Sequence, residues 1–335
     1  MAITTDKFAE TTEIDPISGV IDDTLRSLRI SGSLLLREAY APPWSIAIPD
    51  TDRLAALLKV NSGVRMVAFH LVEFGHCEIK PKGGDGVPLT AGEMAICFGG
   101  GDHRLSQGES STTQSIETLL TGGPNLRRPD AMGRTAGASL LCGVFLLHHT
   151  AFNPLFAALP PLMRVTLSRP GELHNLAGVA RLMAEEIDRK SFGGGYVVER
   201  LLEVLCAEAV RAHIEAVPRH ETSWFRAIKD PVVGRAIAAV HARPGEDWSV
   251  PRLAARVAMS PSRFAARFSE ALGESPMGYV TKWRINLACR QLAATRQSID
   301  RIAANVGYES LAAFSRAFKK RVGASPAAWR AREQL

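Results

Sequence analysis

His70, His76, Glu78 and His103 are the side chains whose types could hold a metal ion. Metal-binding barrels usually supply a close H-x-H pair, then a glutamate, then a late histidine. Here the first two histidines are six residues apart, and Glu78 follows His76 by two. Even spacing puts all three on one strand face only if no bulge intervenes near Gly75. The spacing departs from the metal pattern, so neither a metal nor another cofactor is expected. His70, His103 and Arg104 remain candidates for lining a ligand pocket. Arg37 and Arg65 join them, because a guanidinium fork binds carboxylate or phosphate through two oxygens. Leu25–Ser33, L-R-S-L-R-I-S-G-S, carries Arg26 and Arg29 in a pattern loosely similar to arginine-rich grips on cyclic dinucleotides, though a solvated helix face explains it more simply. Cys97 could sense oxidants if it were exposed and of low pKa; a small buried residue is the default. A Ser/His/Asp triad, a P-loop and a G-x-G-x-x-G after a strand are all missing from the sequence, so no catalytic residue is assigned and no enzyme is expected.

A second set of polar side chains sits inside a repeat. Val250–Pro276 and Ile299–Pro326 carry one pattern. Arg252, Leu253, Ala254, Ala255 and Val257 precede their counterparts Arg301, Ile302, Ala303, Ala304 and Val306 by 49 positions. Phe264, Phe268, Gly273, Ser275 and Pro276 precede Phe314, Phe318, Gly323, Ser325 and Pro326 by 50. The offset changes within a turn, as two copies of one helical unit would show. Each copy reads as a helix-turn-helix. Ser249 caps a short first helix, and Ser260-Pro261 starts the second. Phe264, Phe268 and Leu272 form a buried stripe at i, i+4, i+8, and Gly273 ends the helix. Ser260, Ser262, Arg263 and Arg267 are the candidate DNA contacts of the first unit. Ser310, Ala312, Ser315, Arg316, Lys319 and Lys320 are those of the second. Pro276–Ala294 reads as one connecting helix of about 28 Å. That approaches the ~34 Å between major-groove faces on one side of B-DNA.

These residues resemble a known family. Ser298–Arg330, S-I-D-R-I-A-A-N-V-G-Y-E-S-L-A-A-F-S-R-A-F-K-K-R-V-G-A-S-P-A-A-W-R, is similar to the signature region of AraC/XylS-type bacterial transcription regulators. The resemblance covers about 110 residues. Further upstream, Val67–Gly75, then Leu89–Glu93, then Gly101–Leu105 resemble the cupin-type ligand-binding barrel found in many such regulators. That likeness spans roughly Gly32–Thr150. It implies a sensor barrel for a small effector, an anionic molecule or a cyclic dinucleotide being among the candidates. It also implies double-stranded promoter DNA as partner, a homodimer, and RNA polymerase as a further partner if the protein activates.

Charge agrees with this division. From Arg226 to Leu335 there are 19 lysines and arginines against 8 acids, a net +11, while the other 225 residues carry 21 against 26, a net −5. A basic block on an otherwise acidic chain is the footprint of a DNA-binding module. Hydrophobic content of 46% fits a soluble protein, and no apolar run is long enough to span a membrane. The polar N-terminus lacks a signal-peptide core, and five scattered cysteines fit a reducing cytoplasm.

The expected fold is therefore α+β: a cupin-like sensor barrel over 1–150, a helical linker and dimerisation segment over 151–224, and an all-α DNA-binding domain over 225–335. Candidate strands are Ser33–Ala39, Ser45–Ile48, Val64–Phe74, Cys77–Lys80, Glu93–Phe98, Ser115–Thr121 and Ala138–His148. Candidate helices Glu172–Ile187 and Tyr196–Val217 would carry the dimer contact. The alternatives are a thiol-based redox regulator and, in a different class, a cupin metalloenzyme.

Overall fold

The computed structural model describes residues 16–60, 64–109, 112–122, 137–148, 152–167, 175–216 and 224–333. The polar stretch Asn125–Arg134 and most of the expected linker, 217–223, lie outside them. The fold is α+β. The chain divides into two compact units, one comprising 29–150 and 159–217, the other 1–28, 151–158 and 218–335.

The first unit is a nine-stranded sheet curled into a half-barrel. Its strands are β1 (Arg29–Tyr40), β2 (Trp44–Ile48), β3 (Arg65–Pro81), β4 (Val87–Thr90), β5 (Glu93–Cys97), β6 (His103–Gln107), β7 (Gln114–Ser115), β8 (Ala138–His148) and β9 (Met163–Thr166). Short helices α2 (Thr51–Leu57) and α3 (Ile116–Leu120) lie between strands. The expected strand over Ser115–Thr121 is instead α3, because the Ser115 hydroxyl accepts from the Glu117 amide and starts a helix.

Strand β3 organises the sheet. The two strands expected over Val64–Lys80 are one, and it pairs with β8 and β5 in its first half and with β4 and β6 in its second. The β3–β8 register shifts between Val72 and Phe74. A one-residue shift reverses which parity faces inward. Met66, Ala68 and Val72 therefore share the interior with Cys77 and Ile79. Gly75, at φ +74°, follows the bulge, and a Cβ there would overlap the Gly137 carbonyl oxygen. Trp44, Tyr40, Ile46, Leu105 and Leu140 complete the interior.

Helices α5 (Leu176–Arg189) and α6 (Gly194–Ala216) belong to the same unit, and α6 lies against β1 and β8. Gly32 permits this approach, since a Cβ there would stand 2.7 Å from the Cβ of Leu202. Arg37 on β1 binds Glu73 and Asp188, tying the sheet to α5.

The second unit is all helical: α1 (Pro16–Ser27), α4 (Pro154–Ala158), α7 (Trp224–Lys229), α8 (Val233–Ala242), α9 (Val250–Arg256), α10 (Pro261–Leu272), α11 (Pro276–Ala294), α12 (Ile299–Asn305), α13 (Leu311–Val322) and α14 (Pro326–Glu333). By its contacts the helical unit takes in α1 and α4, which come from the stretches expected in the sensor and the linker. Helix α1 packs against α8 and α11, and α4 against α7. A buried polar clasp joins the two segments to each other. Asn153 donates to the Thr24 carbonyl at 2.8 Å and to the Ser27 hydroxyl at 2.7 Å, with all three residues fully buried. Its own side-chain oxygen accepts from the Phe156 amide. Local sequence spacing carries no sign of this long-range pairing.

Helix α11 is buried on every side rather than along one stripe. Trp224 donates its indole N–H to the Tyr279 hydroxyl at 3.2 Å, and that hydroxyl lies 2.8 Å from His241 Nε2. An indole only donates, so the Tyr279 oxygen accepts from Trp224 and shares a second hydrogen bond with His241. His241 also stacks on Trp283 at 3.8 Å. Burial pulls the His241 pKa down to about 3. Its folded value is depressed, so the unfolded chain takes up the proton first as pH falls. The stabilisation is complete above about pH 6.5 and is lost on acidification towards pH 3, at roughly 1.4 kcal/mol per pH unit. Urea unfolding of the full chain, followed by tryptophan fluorescence between pH 4.5 and 7, should show this slope. His241→Phe should flatten it by about one proton.

Candidate nucleic-acid interface and sensor cavity

Helices α10 and α13 repeat one construction. Phe264 and Phe268 are buried on the inner side of α10, and Phe314 and Phe318 on that of α13. Each pair packs ring to ring, at 5.6 and 5.5 Å. Leu272, expected to extend the first stripe, is only half-buried. Glycines in the left-handed region end both helices, Gly273 at φ +71° and Gly323 at φ +79°. The two starts differ. Ser310 caps α13 by accepting from the Ala313 amide. Ser260 holds the cap backbone conformation, but its side chain makes no cap bond.

The outward faces carry the candidate DNA contacts. Ser260, Ser262, Arg263 and Arg267 are exposed on the first unit. Ser310, Ala312, Arg316, Lys319 and Lys320 are exposed on the second, with Ser315 half-buried. Arg267 is held 2.8 Å from Asp230 and is the one arginine of this set engaged in an ion pair. Arg316 and Arg263 have no ion-pair partner among the described residues. Lys319, Lys320 and Arg321 occupy the last turn of α13, where they also complement the helix dipole.

In the half-barrel the expected ligand residues separate. Arg37 is occupied by Glu73 and Asp188. Arg65 donates to the Phe98 carbonyl at 3.0 Å. Arg104 is exposed and borders a cleft of about 600 Å³. Arg53, Lys80 and Lys82 line the same cleft, opposed by Asp102, which bonds Lys82 at 3.0 Å. These three cations escaped the sequence reading. The K-P-K run at Lys80–Lys82 was the available signal.

The four residues weighed as a metal set also separate. His76 and Glu78 are exposed, whereas His70 and His103 are buried. The β3 bulge accounts for this, because His70 precedes it and His76 follows it. His70 Nε2 lies 2.7 Å from His103 Nε2, and Cys97 Sγ lies 3.7 Å from the same nitrogen. Burial, with His103 adjacent, holds His70 well below the usual histidine pKa; burial lowers His103 likewise. Burial pushes the Cys97 thiol up to about 12, so it is neither exposed nor a ready thiolate.

Paired helix-turn-helix units on one basic helical body, in one chain with a half-barrel, define a DNA-binding type of transcription regulator. A cupin family profile matches residues 19–215, and a helix-turn-helix domain profile matches 253–332. The chain belongs to the AraC-type transcription regulators that carry a cupin N-terminal domain. It is 30% identical over 327 residues to the HTH-type transcriptional regulator AlkR of Acinetobacter baylyi, across 95% of this chain and 99% of that one. It is also 30% identical over 272 residues to a protein of Streptomyces lividans named as an AraC-like transcription regulator, across 79% of this chain and 87% of that one. Among solved structures, the DNA-binding domain of AdpA in complex with a target DNA is 33% identical, covering 30% of this chain and 91% of that one, with a TM-score of 0.30.

We propose that the exposed face of α13 separates base reading from backbone holding. An arginine in the middle of a reading helix can bond two acceptors of guanine, whereas lysines at its end meet phosphate. Arg316→Ala should cost about 1–3 kcal/mol on the true operator and relax preference at one base position. Lys319→Ala should weaken operator and scrambled duplex equally and lower the salt slope by about one. Titrating each variant against both duplexes at several salt concentrations measures this. Equal loss on both duplexes for Arg316→Ala would reject the reading face assigned to it.

Proposed function

We propose that this regulator acts as a homodimer, reads promoter DNA with α10 and α13, and senses a small anionic effector in its half-barrel. The observation that carries the effector reading is the cleft itself: Arg53, Lys80, Lys82 and Arg104 against Asp102. Four cations around one acid leave an excess of positive charge in a concave site. Its volume of about 600 Å³ lies in the range of small-molecule pockets. Carboxylates and phosphates, cyclic dinucleotides among them, match that charge through forked and point-charge contacts. If the output is activation, RNA polymerase is the further protein partner.

The dimer reading rests on a different surface. Leu182, Phe192, Tyr196, Val197 and Val204 are large apolar residues exposed along the α5–α6 hairpin. Large apolar side chains exposed on one helical hairpin suit an association surface. A second copy of the chain is the occupant proposed, because an isologous helix pair buries such a face in both partners at once.

Two outcomes check these readings. In a thermal-shift series, anions should raise the melting temperature while neutral sugars leave it unchanged. An effector at a hundred times its dissociation constant adds about 2.7 kcal/mol of stability. Lys80→Ala combined with Arg104→Ala should abolish the shift. Equal response to neutral compounds would contradict the cleft assignment. In sedimentation velocity, Leu182→Glu with Val204→Glu should convert a dimer to a folded monomer that binds a single half-site more weakly; an unchanged dimer would place the contact elsewhere.

A further inference from the structure

We propose that His70, Cys97 and His103 bind one Zn²⁺ ion inside the half-barrel, with a fourth coordination position open to an adjoining cavity. The three residues come from three strands. His70 lies before the bulge of β3, Cys97 is the last residue of β5, and His103 is the first of β6. Their ligand atoms all lie within 4.8 Å of one another, and all three residues are buried.

The alternative is a hydrogen-bonded histidine pair in a packed core, and the local bonding argues against it. His103 Nδ1 lies 3.2 Å from the Gly101 carbonyl oxygen. A carbonyl only accepts, so His103 carries its proton on Nδ1 and presents a bare lone pair at Nε2. His70 Nε2 and Cys97 Sγ both converge on that single lone pair. His70 has no other stake in the core: its Nδ1 is buried without a hydrogen-bond partner. Two donors cannot both be satisfied by one lone pair, whereas one cation is satisfied by three. A histidine that donates its far N–H to a backbone carbonyl is also the usual outer-shell arrangement of a metal ligand.

Distances and donor types select the ion. A tetrahedral zinc with bonds of ~2.0–2.1 Å to nitrogen and ~2.3 Å to sulfur needs its ligand atoms ~3.3 Å apart for N–N and ~3.6 Å for N–S. The observed 3.7 Å between Cys97 and His103 meets this. The 2.7 Å between the imidazoles must open by about 0.6 Å, which rotations of the two rings supply. Two imidazoles and a thiolate suit a borderline-soft ion and exclude the oxygen-seeking magnesium and calcium. On binding, the Zn–S bond forms as the Cys97 thiol proton leaves to solvent, and the ion keeps its oxidation state.

Three protein ligands make an open site. Cys97 and His103 line a cavity of about 430 Å³ together with Gly99–Gly101 and Lys82. Water or a small donor from this cavity would complete the coordination. Occupancy would tie β3, β5 and β6 together and fix the Gly99–Asp102 loop between Cys97 and His103.

The test uses the full chain, stripped with chelator under reducing conditions and titrated with Co²⁺, then with Zn²⁺. One Co²⁺ per chain should produce a thiolate-to-cobalt charge-transfer band and intense tetrahedral d–d bands, and one Zn²⁺ should erase both. Cys97→Ser should remove the charge-transfer band, and His103→Gln should weaken Co²⁺ binding at least tenfold. His76→Ala should change neither. A wild-type chain without the bands, or a Cys97→Ser chain that retains them, overturns the assignment. Should Cys97→Ser fail to fold, His103→Gln decides alone, and undiminished affinity in it overturns the site. DNA binding by the stripped chain is titrated in parallel. If it persists while the cobalt bands are missing, the metal site is rejected and the proposed function stands.

Discussion

The helical unit depends on α11 carrying buried residues on every side. Such a helix cannot slide or rotate without exposing apolar surface, so whatever is attached to its ends is held at a fixed separation. Its start at Ser275-Pro276 follows directly from α10, and its end leads through Ser298 into α12. Polar side chains fix it further. Arg284 donates to the carbonyls of Pro244 and Glu246 while its guanidinium lies over Tyr308. One arginine thus touches the approach to the first helix-turn-helix and the turn of the second. The inner faces of α10 and α13 are fixed by packing, while Arg263 and Arg316 on their outer faces have no ion-pair partner among the described residues.

The half-barrel solves a different problem with one irregularity. A 17-residue strand must bend to serve both halves of the sheet, and the register shift beyond Val72 lets it do so. The same shift decides which side chains meet inside. Without it His70 and His76 would share a face. With it His76 turns to solvent, and His70 is left to His103 and the thiol of Cys97. The position of a single extra residue therefore governs the chemistry of the interior.

The sequence made the helical unit legible because its information is local and appears twice. Caps, phenylalanine stripes and terminal glycines recur in register, and the structure returns them almost residue for residue. Strand β8 was equally clear, as a long apolar run that coincides with the expected Ala138–His148. Features fixed by distant partners were not legible. Asn153 reads as an ordinary loop residue until Thr24 is beside it. Ser115 was read as the start of a strand running to Thr121, whereas it ends β7 and its hydroxyl caps α3. Lys80, Lys82 and Arg53 each read as solvated charges, and only the folded sheet brings them to one cleft. The histidine set failed for a sharper reason: period-two arithmetic was right on either side of the bulge and wrong across it.

The interleaving of the chain bears on how such a protein can be recombined. The helical unit contains both the earliest described segment, α1, and the last, α14, and the sensor is threaded into it in two pieces. A crossover at one point near residue 220 would deliver a reader stripped of α1 and α4, with the buried surface of Val20, Thr24 and Asn153 orphaned on the donor. Exchange of sensors between relatives must therefore respect four junctions rather than one. Inheritance as a whole is the easier path, and a hybrid built as two beads on a string would carry an unhealed seam.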